Sequence, residues 1–310
     1  MQSHSSMKVL ITGLHGFTGG YLETLLRKTG YEIYGLVSGS PLRKHEYQVD
    51  MRDQSAVTDA VAEIDADYVI HLAAISFVAH GDIGEIYDTN VKGVLNLIEA
   101  LYRCARPVKK LLVASSGNIY GAAAVDKPIN EDTYPLPSNH YSVSKLAVEH
   151  IARLAYGKIP IIIVRPFNYI GIGQSSSFVV PKIVSALQNR IQDIYLGNID
   201  IVRDFSDVRW VVEVYLALME SDISDETFNV CSGLGVRLRD LLHDLEDIAG
   251  YRLRIHTDSN LMRINDLPHL VGSPTKLENR IRVPPRIKLM ETLKWMYSKQ
   301  IDSHSSDTLE

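Results

Sequence analysis

Cysteine is scarce. The 310 residues hold two, Cys104 and Cys231, far apart in the chain. Neither has metal-ligand spacing or a histidine close by, which excludes a disulfide framework and a zinc site built on thiolates. The two read as reduced, buried, small hydrophobes. The eleven histidines are scattered without a His-x-x-x-His pair, so no metal site is expected. No apolar run approaches the roughly 20 residues of a membrane span. Positive charge is in deficit, with 32 Lys and Arg against 37 Asp and Glu. A net charge of -5 offers no bulk attraction to nucleic acid or acidic membranes. The opening "MQSHSSMKVL" lacks a basic stretch followed by an apolar one, so no secretory signal is expected and the expected location is the cytoplasm.

What is present is a regular alternation. "KVLITG", "YEIYGLV", "ADYVIHLAA", "VKKLLVASS" and "IPIIIVRPFN" read as short buried strands. Between them, "GGYLETLLRKTG", "QSAVTDAVAEI", "IYDTNVKGVLNLIEALYRC" and "HYSVSKLAVEHIARLAYG" carry helical spacing. Strand–helix alternation with strands apolar on both faces predicts a doubly wound parallel α/β sheet. After residue 167 the alternation loosens, and "VVPKIVSALQ" and "VRLRDLLHDLEDIAG" mix with short strands. The expected organisation is a dinucleotide-binding domain over residues 1–166, with a returning segment near 200–232, and a smaller discontinuous lobe over 167–310.

Three glycines, Gly13, Gly16 and Gly19, stand in "ITGLHGFTGG" at the first strand-to-helix turn, with Phe17 among them. Glycine suits a tight turn, a close approach to a pyrophosphate, and close helix–strand packing. The helix N-terminus behind supplies free N–H groups for phosphates. A ligand-free glycine turn is the plain alternative, but the position after a strand and before a helix favours a dinucleotide. At the end of the second strand an acid would read the free 2′-hydroxyl of NAD. Here stand Ser38 and, close behind, Arg43 and Lys44, which suit a 2′-phosphate. NADPH is therefore expected, with NADH the lesser choice.

Tyr141 and Lys145 lie one helical turn apart in "YSVSK". An ammonium beside a phenol should lower the phenol's pKa and fit it for proton transfer. Ser116, at the end of a strand, is placed to hydrogen-bond a substrate oxygen. The chemistry expected is hydride transfer between nicotinamide and a carbonyl, with Tyr141 supplying the proton.

With these motifs the chain resembles the extended short-chain dehydrogenase/reductases that act on nucleotide sugars. Further landmarks are "VDMRD" (49–53), "NVKGVLNLIEA" (90–100), "SSGNIYG" (115–121), "RPFNYIGIGQ" (165–174), "RDFSDVRWVV" (203–212) and "MRINDLPHLVGSPTKL" (262–277). The resemblance implies a Rossmann fold with a smaller C-terminal substrate lobe. It implies that Asp50 and Met51 touch the adenine and that Leu72, Ala73 and Ala74 line the cofactor groove. It also implies that Ser116, Asn118, Asn168, Arg203 and Arg263 face the sugar nucleotide. Arg209 is a further candidate, with a surface ion pair as its alternative reading.

Relatives that eliminate water carry one or two acids directly after the catalytic hydroxyl, where this chain has Gly117 and Asn118, and neither can exchange a proton usefully. Relatives that epimerise at two carbons need a cysteine and a histidine, whose places hold Asn118 and, nearby, Phe178. The resemblance then points to reduction of the C4 ketone of a GDP-linked 4-dehydro-6-deoxy sugar, giving GDP-D-rhamnose or, from the other face, the talo product. A 4-epimerase with tightly held NAD is the rival reaction. A non-catalytic dinucleotide sensor is the remote one. The family likeness also implies a homodimer through helices near 86–104 and 141–156.

Overall fold

The computed structural model describes residues 7–76, 82–123, 127–258, 261 and 267–299. Strands β1 (Lys8–Thr12), β2 (Glu32–Val37), β3 (Glu46–Gln48), β4 (Tyr68–His71), β5 (Lys110–Ala114) and β6 (Ile161–Pro166) alternate with helices. The helices are α1 (Phe17–Lys28), α2 (Gln54–Ile64), α3 (Ile83–Tyr87), α4 (Gly93–Arg103) and α5 (His140–Leu154). The chain goes on through β7 (Asn168–Ile170), α6 (Val179–Gln188), β8 (Asp193–Leu196), β9 (Val202–Asp207), α7 (Val208–Glu220) and β10 (Glu226–Val230). It ends with β11 (Gly235–Arg237), α8 (Leu238–Ala249), β12 (Arg254–Thr257), β13 (His269–Leu270), α9 (Thr275–Arg280) and α10 (Leu289–Ser298).

The main sheet has seven strands in the order β10-β6-β5-β4-β1-β2-β3, and every pairing is parallel. Its strands bury both faces because their side chains alternate between two cores. Leu111 and Val113 of β5 face a core with α2, α4 and α5, while Leu112 faces a second core with α1 and α7. The doubly wound sheet read from the sequence is therefore the observed one. The strand order reverses between β1 and β4. In such sheets the crevice at the carboxyl ends of the two reversing strands is where a ligand sits.

The smaller lobe holds β7, β9, β11 and β13 in one sheet and β8 with β12 in another, packed with α6, α8 and α10 around a third core. The return to the main sheet begins later than residue 200. β9 pairs with β7, β11 and β13, so the return to the first sheet starts with α7 and β10, residues 208–230, and Leu277 of α9 later packs against the same core. The helix expected over 86–104 is present and runs unbroken from Ile83 to Arg103, but not as a uniform α-helix. α3 and α4 are joined by a π turn at Asp88–Lys92. The wider turn brings Asn90 inward, where its side chain accepts the Ile75 N–H at 2.8 Å and donates to Ile75 O and Ser144 Oγ.

Candidate active site

The glycine loop is shaped by two constraints. Gly13 has φ +72°, a left-handed conformation, and a β-carbon there would stand 2.9 Å from the Ala73 nitrogen. A β-carbon on Gly19 would meet the Leu14 and Gly13 carbonyls at 2.4 and 2.5 Å, so α1 starts hard against the loop. Gly16 stands before α1 as its N-cap, and its N–H donates to Gly13 O. The turn thus forms a cradle closed on its far side by residues 72–74, which follow β4. Phe17 stacks on Tyr169 at 6.0 Å, and Thr18 Oγ1 lies 2.7 Å from the Tyr169 hydroxyl. That ties the loop to the second lobe. The residues fit a dinucleotide: a bare backbone turn, a helix start behind it, and the groove of Leu72, Ala73 and Ala74 beside it.

Ser38 is exposed at the end of β2. Arg43 donates to Glu23 Oε1 at 2.5 Å from a mostly exposed side chain. Asp50 binds Arg52 in a two-bond fork, and Met51 is buried with its carbonyl accepting from Asn96. Ser38 follows the end of β2, Arg43 stands in the β2–β3 connection, and Asp50 and Met51 follow β3.

The catalytic candidates converge at the carboxyl end of β5. Ser116, Tyr141 and Lys145 are each under a tenth exposed. α5 begins on a capping box at Asn139 and Ser142, which fixes the turn that carries Tyr141. The Tyr141 phenol lies by Ser116, while Lys145 Nζ donates to Ala114 O at 2.8 Å. Burial pushes the phenol up to about 12, opposed by the Ser116 hydrogen bond and reinforced by nearby Tyr169. The lowering expected from the sequence is absent from the protein by itself: loss of solvent governs the phenol, and the Lys145 ammonium is turned to the Ala114 carbonyl. Burial likewise pulls Lys145 down to about 8, against the supporting charge of Glu149. His71, at the end of β4, is pushed down to about 3 by burial and by the Lys145 charge. It is therefore neutral, and its Nδ1 lies 2.8 Å from Thr12 Oγ1, which also accepts the Ala73 N–H.

Asn118 is half-buried, and its N–H donates to Ser116 Oγ at 3.1 Å. A β-carbon on Gly117 would come to 2.9 Å of the Phe167 ring, so the residue after the serine packs on an aromatic face. Asn168 and Arg203 sit on the neighbouring strands β7 and β9. Arg203 is buried and donates to Val202 O. Next to it, Asp204 accepts from Ser232, Gly233 and Gly272, knitting three segments together. Arg263 lies outside the described residues. Of the two readings of Arg209, the ion pair is what the structure shows. Its guanidinium forks onto Asp207 and lies 3.7 Å over the Trp295 ring, bracing α7 against α10.

Sequence reasoning missed a buried polar network under this site. Glu149 accepts from Ser115, Arg153 and, through two bonds, Arg165. Arg165 extends the network to the Tyr120 hydroxyl, which donates to Asn229. The available signal was the spacing: Glu149 stands one turn beyond Lys145 on the same face.

The NAD-dependent epimerase/dehydratase family matches residues 9–231. The chain belongs to that family. It is 34% identical to the GDP-6-deoxy-D-talose 4-dehydrogenase of Aggregatibacter actinomycetemcomitans, over 88% of this chain and 90% of that one. It is 33% identical to the GDP-6-deoxy-D-mannose reductase of Pseudomonas aeruginosa, over 94% of this chain and 97% of that one. Among solved structures, RMD from Pseudomonas aeruginosa complexed with NADPH superposes with a TM-score of 0.82 at 31% identity, covering 94% and 98% of the two chains. The protein is thus an enzyme of a nucleotide-binding α/β family, and the Ser116, Tyr141 and Lys145 cluster stands where the crevice opens.

Proposed function

We propose that this enzyme reduces the C4 ketone of GDP-4-dehydro-6-deoxy-D-mannose with NADPH, giving GDP-D-rhamnose, which is GDP-6-deoxy-D-mannose. The observation that carries the reading is the gathering of buried Ser116, Tyr141 and Lys145 at the end of β5 beside Gly117 and Asn118, a proton donor with no acid directly after the serine. When bound, reduced nicotinamide supplies the hydride. Tyr141 holds its proton firmly, so it serves as a donor to the oxygen that becomes an alkoxide. Ser116 steadies that oxygen, and Lys145 places a buried positive charge below. Asn168, Arg203 and Arg263 are proposed for the diphosphate, and Asn118 for a sugar hydroxyl. Ser38 with Arg43 and Lys44 is proposed for the 2′-phosphate, Arg43 leaving Glu23 to reach it. The likeness to the talose enzyme favours one second reading, the talo product, since talose and mannose differ only at C4 and both arise from the same ketone.

The stripe Leu95 and Tyr102 on α4, with Val143 and Leu154 on α5, leaves large apolar side chains exposed on two adjacent helices. That supports a homodimer through this face.

Mixing the protein with NADPH and the dehydratase product of GDP-mannose should oxidise the cofactor, and NMR of the product decides rhamno from talo. Y141F should lower kcat by about two orders of magnitude or more, the usual share of a positioned acid. No NADPH oxidation, together with NAD carried through purification, would establish the 4-epimerase instead.

A further inference from the structure

Successive turns of α5 grip the end of β5 at consecutive residues. Tyr141 stands by Ser116, Lys145 donates to the Ala114 carbonyl at 2.8 Å, and Glu149 accepts the Ser115 hydroxyl at 2.6 Å. The first two contacts belong to the catalytic group. The third has no part in the chemistry above, yet it is the most heavily anchored. Glu149 Oε1 also accepts Arg165 Nε at 2.8 Å, and Oε2 accepts Arg165 Nη2 at 2.8 Å and Arg153 Nη2 at 2.6 Å. Glu149 is fully buried, and its two arginines come from different elements, Arg165 from β6 and Arg153 from α5 itself.

We propose that Glu149 is a positioning residue for the catalytic group: by clamping Ser115 from α5 it fixes the strand end that carries Ser116 and the Ala114 carbonyl, and it is the anion that sustains the Lys145 ammonium. The proposal rests on the function proposed above.

An ion pair alone would be satisfied by Arg165, whose fork already fills both oxygens. The added Ser115 bond brings the carboxylate to the catalytic strand. Ser115 N–H in turn donates to Val164 O, so the residue before the catalytic serine is held on both sides, by β6 and by α5. Charge works in the same direction. Burial works to raise Glu149, but Arg165, with Ser115 and Arg153, outweighs it and holds the group below the usual carboxylate range. Glu149 is therefore an anion across the working pH range. The groups that face Lys145 are Tyr141 and Glu149 from α5, His71 from β4, and, through Tyr141, Tyr169 from β7 and Tyr215 from α7. His71 is neutral and the tyrosines hold their protons, which leaves Glu149 as the negative charge in this set.

The test compares E149Q, E149D and S115A with the wild-type protein, reading kcat and KM against pH and NADPH affinity by cofactor fluorescence against pH. E149Q should lower kcat and move the alkaline limb of both profiles toward neutral pH by about one unit, as expected on losing a nearby opposite charge. E149D keeps the charge, so its limb should stay where the wild type has it, while kcat falls. S115A should lower kcat by about tenfold with KM unchanged, the scale of one hydrogen bond to a charged group. An E149Q profile whose limb does not move overturns the proposal, whether kcat falls or not, because a merely structural residue gives that result. If E149Q does not fold, S115A decides alone, and wild-type kcat in S115A overturns the proposal. If the wild-type protein leaves the 4-keto sugar untouched, the proposed reaction has failed, and the fluorescence profiles with NADPH still decide the role of Glu149.

Discussion

At the scale of single residues, burial governs the site more than pairwise charge does. Tyr141, Lys145 and His71 are all displaced toward their neutral forms by loss of solvent. For His71 this has a measurable consequence. The folded chain keeps it neutral down to about pH 3, whereas the unfolded chain takes up a proton below its usual value near 6.5. Between those limits the unfolded state binds more protons, so stability falls as pH falls through that window. From pH 7 to pH 5 the loss from this one group is about 2 kcal/mol. Urea melts at the two pH values should show it, and H71N should flatten the difference. A wild-type protein equally stable at both would contradict the burial of a neutral His71.

At the scale of elements, the joint between α3 and α4 matters most. Asn90 sits in a π turn, and its one side chain satisfies both backbone groups of Ile75 and reaches Ser144 on α5. N90A leaves the half-buried amide of Ile75 without its acceptor, which costs about 1 kcal/mol. The same change loosens the segment after β4 that carries Leu72, Ala73 and Ala74, the proposed wall of the cofactor groove, so NADPH should bind more weakly. Urea unfolding and a fluorescence titration check the two effects. The π turn marks the limit of what the sequence can express. "IYDTNVKGVLNLIEALYRC" has unbroken helical spacing, and only the tertiary demand of Ile75 opens the turn at Asn90. The glycine loop and the Tyr141–Lys145 spacing were legible because each is a local geometry written in adjacent residues. The Glu149–Arg165 pair was not, because it joins a helix to a strand through the third dimension. Arg209 shows the same gap from the other side: its place over the Trp295 ring joins α7 to α10 across the fold and is not written in neighbouring residues.

At the scale of the whole molecule, the two lobes share one chain that leaves the main sheet after β6 and comes back for α7 and β10. The exposed stripe runs over α4 and over α5, the helix that bears Tyr141 and Lys145. L95E with L154E should leave the fold and NADPH binding intact and yield a monomer by light scattering, where the wild type gives a dimer. A wild-type monomer would remove the proposed interface.

The late arrival of β10 bears on how the protein is made. β6 is an apolar strand, and its outer edge is covered only when residues 226–230 pair with it. During synthesis the intervening residues 167–225, most of them in the other lobe, must emerge first. Until then the nascent sheet presents a bare, sticky flank of unpaired amides. Chaperone dependence during translation should therefore peak in the interval before β10 leaves the ribosome.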